Sequence, residues 1–529
     1  MKKNIKMLFL TSLVFTACAK IESDITPTTL DQPLTAGSAN FSKFVSLGNS
    51  LTSGFSDGTL FKQGQQNCFP KILADQFALV GGGAFTIPYM NDNIGGLTFG
   101  GTVIVGPRLY FNGTGPAPVS GTPTTEVLTT LTGPFNNMGV PGAKSFHMLA
   151  AGYGNAAGVP TGAANPYFVR FRTSATATML GDAVAQNPTF FSLWAGNNDV
   201  LSYATSGGIG IDQTGNTASP ATYGGNDITD PTTFAGVYNA LINGLTAGGA
   251  KGVVANIPNV TSVPYFTTVP TNALPGLPAT SVTQLNQLFG GINAALAASG
   301  LPPRFVTLVA DDGNPATIEK NPLLIVDDNP SPTYPNISVQ ITAALTPTLG
   351  VATATFLGNL YGKARHAKND NPATAQDEQD YIVLTARTII GTTQTGAPAP
   401  FNIVGVSYPM QDNTTLTAYE SGLVKNATSA FNNTIKSIAM AKGLAFVDAN
   451  SILNQVATAG GYSFGSNYVV TSQYVTGGGF SMDGVHPSPR GYALIANKFF
   501  EAINLTYGSN FRPVDLGKYQ IQYPAVLPN

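Results

Sequence analysis

Several short apolar runs in this chain end in Gly, Asn or Pro, at 41–47, 189–195, 252–257, 402–407 and 444–447. Unbroken apolar runs of this length suit strands buried on both faces, the condition of a parallel sheet. Helical patterns lie between or after them. Leu416, Leu423, Ala427, Ala430, Phe431, Ile435 and Ile438 share one helical face, as do Tyr492, Ile495, Ala496, Phe499, Phe500 and Ile503. Strands alternating with helices predict a doubly wound α/β sheet, whose ligands sit beyond the carboxyl ends of the strands. The stretches 83–135, 201–232 and 259–401 are rich in Gly, Pro and Thr, with weak periodicity. They read as insertions that decorate one domain at 41–510 and shape its cleft, with 511–529 as a C-terminal tail.

The start of the chain bears on where the protein works. Lys2, Lys3 and Lys6 precede an apolar stretch at 7–17, a signal-peptide pattern shorter than the ~20 residues of a membrane crossing. It runs into "LVFTAC", which resembles a bacterial lipobox: Thr16 and Ala17, then Cys18. That resemblance implies cleavage before Cys18, lipid on its sulfur, and an extracytoplasmic protein anchored to a bacterial outer membrane. Two or three acyl chains make such an anchor stable. Residues 18–40, polar and containing Pro27 and Pro33, read as a tether. Cys68 then has no disulfide partner, so stability must come from packing. Only 10% of residues are charged and the net charge is −2, so no basic field exists to hold nucleic acid.

The run that stops at Gly48-Asn49-Ser50 has two readings, a turn of small residues or a nucleophile at the mouth of a sheet. The segment "SMDGVHPSPRGYALIA" favours the second. Asp483 and His486 lie three apart, just before a helix starting near Pro489. This spacing lets Asp483 orient the imidazole and stabilise its positive charge while the other ring nitrogen faces a nucleophile. "FFSLWAGNNDV" ends a strand where the Asn198 amide can face a developing oxyanion. "NNMGVPGAKSFHM" sets Gly139 in a loop, its bare N–H open to a substrate. Donors of this kind are each worth ~10²–10³ in rate.

In order, a Gly-x-Ser-Leu block, a glycine, Gly-x-Asn-Asp and Asp-x-x-His resemble the SGNH (GDSL-type) hydrolase family. The resemblance implies a flavodoxin-like three-layer α/β/α sandwich and hydrolysis of acyl esters of lipids, sugars or small molecules. Carried over by position, Ser50 is the nucleophile, His486 the general base and Asp483 its partner. Ser50, Gly139 and Asn198 form the oxyanion hole. No cofactor is expected, and no His/Cys/Asp cluster has metal-ligand spacing. Asn49 stands where the family usually has Asp, which removes a charge and adds donors. Two rival readings use the same residues. One is a carbohydrate O-deacetylase; the other is a surface glycan- or lipid-binding protein impaired at Asn49.

Four features read as structural. "GYSFG" at 461–465 matches a nucleophile elbow but has no buried strand before it, which assigns Ser463 to a loop. "GGND" at 224–227 lies inside an insertion. His147 is expected to pack or face solvent, and His366, in "KARHAKND", to sit in a solvated charged patch.

Overall fold

The structure, a computed structural model, describes residues 32–314, 319–328, 335–369, 379–465 and 468–528. The signal-peptide stretch, Cys18 and the tether as far as residue 31 lie outside the described residues. By its contacts, Thr35–Asn529 forms one unit.

Five parallel strands run through its centre. β1 (Phe44–Gly48) pairs with β2 (Asn137–Gly139) on one side and β3 (Phe190–Trp194) on the other. β4 (Lys251–Ala255) follows β3, and β5 (Ala445–Val447) closes the far edge, giving the order β2-β1-β3-β4-β5. Every residue of β1 and β3 is buried, so both faces of the sheet are covered. Around it, α1 (Ser50–Ser53) starts directly after β1, and α2 (Phe69–Ala78) packs on the last helix, α9 (Pro489–Tyr507). α3 (Asn198–Thr205) follows β3, and α4 (Pro231–Thr246) packs on α7 (Ala418–Ala441).

Local chemistry explains the long helices. Thr417 and Glu420 cap α7 reciprocally, side chain to backbone in both directions. The helix buries Val424, Ala427, Phe431 and Ile435, and Phe431 stacks on Phe234 of α4 with centroids 4.2 Å apart. α9 is capped by Ser488, opens on Pro489 and stops at Gly508, whose φ of 71° a side chain would oppose. Each large apolar side chain buried this way is worth ~1.5–3 kcal/mol.

The molecule departs from the sequence expectation in several places. Residues 402–407 are not a strand. Gly405, at φ 79°, turns the chain, and its N–H donates to the Tyr408 carbonyl. The fifth strand is β2, three residues long and carrying Asn137, too short and polar to announce itself.

The insertion at 259–401 is more regular than its weak periodicity suggests. It holds α5 (Ala279–Ala298) and α6 (Ser338–Tyr361) around a second apolar cluster that includes Phe289, Ile292, Phe305 and Leu357. α6 is long and apolar enough to cross a membrane by length and composition. It reverses at Gly350 (φ 76°, ψ 159°), and Thr342 Oγ1 on one half donates to the Ala354 carbonyl of the other. His366 is buried in this cluster, on the short strand Ala364–His366, and not in a solvated patch.

Neither end of the described chain hangs free. The Ser38 N–H donates to the Tyr507 carbonyl, and Thr35 N–H to Asn510 Oδ1, so the tether does not reach residue 40. In the C-terminal segment Leu516 and Tyr523 are buried, and the Arg108 guanidinium donates to the carbonyls of Pro524 and Ala525.

Candidate active site

Three strand ends stand side by side: Gly48 of β1 is in register with Gly139 of β2 and Trp194 of β3. A Cβ at Gly48 would collide with Thr52 Oγ1 and the Trp194 carbonyl, so the turn into α1 needs glycine there. Asn49 is fully buried and caps the helix, its Oδ1 accepting the Leu51 N–H at 3.1 Å. Its Nδ2 donates to Asn197 Oδ1 at 3.0 Å, a bond a carboxylate in that position would not make. Ser50 is thereby held as the first residue of α1, where a backbone N–H has no partner inside the helix.

The imidazole reaches Ser50 from the other end of the chain. Residues 55–58 are laced to 481–492: Asp57 N–H to Ser481 Oγ across 424 positions, Met482 N–H to Asp57 Oδ1, Ser56 Oγ to the Pro487 carbonyl, and Tyr492 Oη to the Phe55 carbonyl. The Phe55 ring lies 4.5 Å from that of His486. Held this way, His486 Nε2 is 2.9 Å from Ser50 Oγ, and its Nδ1 is 2.8 Å from Asp483 Oδ2. The imidazole keeps 14% of its surface exposed, enough for a reactant to approach.

Asp483 is supported on both oxygens. Oδ1 accepts the N–H groups of Val485 and His486, and Oδ2 that of Gly58. Burial alone would raise its pKa. The charge of His486 and these hydrogen bonds outweigh it and hold the carboxyl at about 2, so it is an anion throughout the neutral range. Neighbouring Asp57 is the opposite case. Burial pushes it up to about 7, and the nearby Asp483 charge adds to the rise.

The end of β2 corrects one expectation, since Gly139 is its last residue and not in a loop. Gly139 N–H donates to Asn137 Oδ1 at 2.9 Å, and a Cβ there would strike the Ser53 backbone. Gly139 therefore serves close packing of β2 against α1 and does not offer a free donor. Asn198 Nδ2 donates to the Ala143 carbonyl at 3.0 Å, which leaves its second amide hydrogen. Asp199 accepts Ser145 N–H at 2.8 Å and Ser145 Oγ at 2.7 Å. Just before these two clamp points the exposed Gly142 has φ 79°, and among the described residues its N–H has no acceptor. Asn197, Asp199 and Gly142 were not singled out by the sequence reading. Asn197 and Asp199 lie inside the Gly-x-Asn-Asp run itself, and Gly142 is the second glycine of "NMGVPG".

The remaining candidates stand apart from this site. Ser463 is exposed on the hairpin strand Tyr462–Phe464 and not in a loop. Asp227 of the second Gly-x-Asn-Asp copy braces its own loop, accepting from Gly224 N–H and Gln213 Nε2. His147 stacks on Tyr153 at 4.4 Å, and burial with the Lys144 charge lowers its pKa to about 4. Cys68 is free and buried, its thiol pushed up to about 12 by desolvation. Among the described residues, two acidic groups bring three carboxylates within 4.8 Å, Asp311/Asp312/Glu319 and Asp328/Asp412/Glu420. Neither contains a residue of the Ser50 site.

Residues 369–499, a span that holds Asp483 and His486, match the family described as GDSL-like Lipase/Acylhydrolase. Comparison with curated proteins and with solved structures gives no match.

Proposed function

We propose that the chain is a member of the SGNH (GDSL-type) hydrolase family, which the match over residues 369–499 supports, and that it is a serine ester hydrolase working through an acyl-enzyme. The observation that carries this reading is the contact series Ser50 Oγ–His486 Nε2 and His486 Nδ1–Asp483 Oδ2, at 2.9 and 2.8 Å. His486 Nε2 takes the hydroxyl proton as Ser50 Oγ bonds to the ester carbonyl carbon, and the π electron pair moves onto the carbonyl oxygen. The donors assigned to that oxyanion are the Ser50 N–H, the second Asn198 amide hydrogen and the Gly142 N–H. Collapse expels the alcohol, which leaves with the proton held by His486. Water then gives a proton to His486 and attacks the acyl carbon, returning the free acid and the Ser50 hydroxyl. Throughout, anionic Asp483 fixes the tautomer that bears hydrogen on Nδ1 and stabilises the imidazolium.

The same reading takes the β2-β1-β3-β4-β5 order as the flavodoxin-like arrangement of a three-layer α/β/α sandwich. It takes the lipobox at Cys18 as the lipid anchor of an extracytoplasmic, outer-membrane protein. A fluorophosphonate probe tests the chemistry directly. The purified protein should label on Ser50 and release p-nitrophenol from a butyrate ester, and Ser50→Ala should lose the label and about 10⁴-fold or more in turnover. Turnover that survives in Ser50→Ala would sink the proposal, and a wild-type protein with neither label nor turnover would leave the binding-protein alternative.

A further inference from the structure

Ser50 and His486 open onto a cavity whose character the hydrolytic step does not by itself require. Among the described residues, the lining is apolar apart from Ser50, His486, Asn197 and Lys498. The Trp194 indole N–H is satisfied by the Asn256 carbonyl, so that ring also presents an apolar surface. The walls come from the loop after β4 (Val263), from α8 (Ala449–Val456) through Ile452, Leu453 and Val456, and from α9 through Leu494 and Ile495. The cavity has a volume of about 110 Å³, narrow for its length, and is partly open to solvent.

The polarity of this cavity runs one way. Ser50, His486 and Asn197 gather at one end, the last held by Asn49. At the other end Lys498 contributes its methylenes. Its ammonium is turned away, tied to Glu501 at 2.7 Å and lying 4.5 Å from the centre of the Tyr462 ring. α9 lines the space with Gly491, then Leu494 and Ile495, then Lys498 and Phe499, which are successive turns of one helical face. Gly491 to Lys498 covers seven residue rises, about 10 Å. An extended chain advances ~1.2 Å per bond, taking a residue of three bonds as ~3.6 Å. The slot therefore takes about eight bonds.

We infer that the acyl group passed to Ser50 is an aliphatic chain of about eight to ten carbons lying along α9, and not an acetyl group. This rests on Ser50 being the nucleophile. The ester C–O bond breaks, the acyl carbon bonds to Ser50 Oγ with its tail in the slot, and the alcohol leaves to solvent with the proton from His486. A buried polar head would leave donors and acceptors unpaired among these walls, which excludes a sugar from this part of the site.

The test is a series of p-nitrophenyl esters from two to sixteen carbons, hydrolysed by the full-length protein. Burying a methylene is worth ~0.8 kcal/mol, roughly fourfold. The octanoyl ester should thus exceed the acetyl ester by at least about 100-fold in kcat/KM, with decline beyond about ten to twelve carbons. Leu453→Trp and Ile495→Trp fill the slot and should each lower the octanoyl-to-acetyl ratio at least tenfold. Independently of any variant, decanoic acid should inhibit acetyl-ester hydrolysis competitively at concentrations where acetic acid does not. A wild-type profile that is flat or highest at acetyl, or the absence of inhibition by decanoic acid, overturns the inference while Ser50-dependent turnover leaves the hydrolase reading standing. No turnover on any ester and no probe label on Ser50 overturns the hydrolase reading, and this inference with it.

Discussion

His486 and His366 each sit against phenylalanine rings in an apolar part of the molecule, and only one of them meets a carboxylate. His486 lies 4.5 Å from Phe55, with Asp483 on one nitrogen and Ser50 on the other. His366 lies 5.2 Å from Phe289 and 5.8 Å from Phe305, 3% exposed, and its Nδ1 accepts the Val306 N–H. The two acids near it in sequence and space, Asp327 and Asp380, are both engaged by the Arg365 guanidinium. Burial without an anion favours the neutral ring and lowers the pKa of His366 to about 4. An imidazole buried in this protein is a packing group unless an anion stands behind it and an opening in front.

The comparison is broken most severely by removing each ring. His486→Ala should reduce ester hydrolysis about 10⁵-fold, while His366→Asn should stay within twofold of wild type in a p-nitrophenyl butyrate assay. Equal losses in the two variants would make the distinction meaningless. Next in size, Asp483→Asn makes the surroundings of His486 more like those of His366. It keeps the shape and removes the anion, and turnover should fall about 10⁴-fold with the Ser50 probe reacting correspondingly slowly.

The smallest effect appears in stability against pH. Unfolded, a histidine takes its proton near pH 6.5; folded, His366 takes it only near 4. Between those values the unfolded state binds more protons, so the stabilisation present above about 6.5 is lost as pH falls towards 4. The loss is on the order of 3 kcal/mol. Asparagine keeps an acceptor for the Val306 N–H and does not titrate. Urea unfolding at pH 4.5 and 7.5 should therefore show a shallower pH dependence in His366→Asn than in wild type. Identical slopes would place the proton elsewhere.

The sequence carried the site further than it carried the architecture around it. Ser50, Asp483 and His486 sit in short runs with spacing that has a chemical reason, and the structure brings all three within hydrogen-bond distance. Four of the five strands were legible as apolar runs. β2 was not, because three residues that include Asn137 carry no period. Gly139 looked like a donor because only its backbone was considered; the Asn137 side chain two residues earlier takes that N–H. α5 escaped notice although Val282, Leu285, Phe289, Ile292 and Leu296 lie on one face, because Ala, Gly and Thr between them flatten the contrast. His366 was read by its charged neighbours in sequence, and burial depends on neighbours in space. The insertions also shape the cavity less than expected: among the described residues, Leu201, Val260 and Val263 are the lining residues from the three stretches.

The attachment of residues 35–40 beside the end of α9 has a geometric consequence. That helix has 19 residues and is about 28 Å long, with its first turn next to His486 and its last turn bonded to Ser38. Within this unit, the entry of the chain at Thr35–Ser38 and the Ser50–His486 pair therefore lie at opposite ends of one helix.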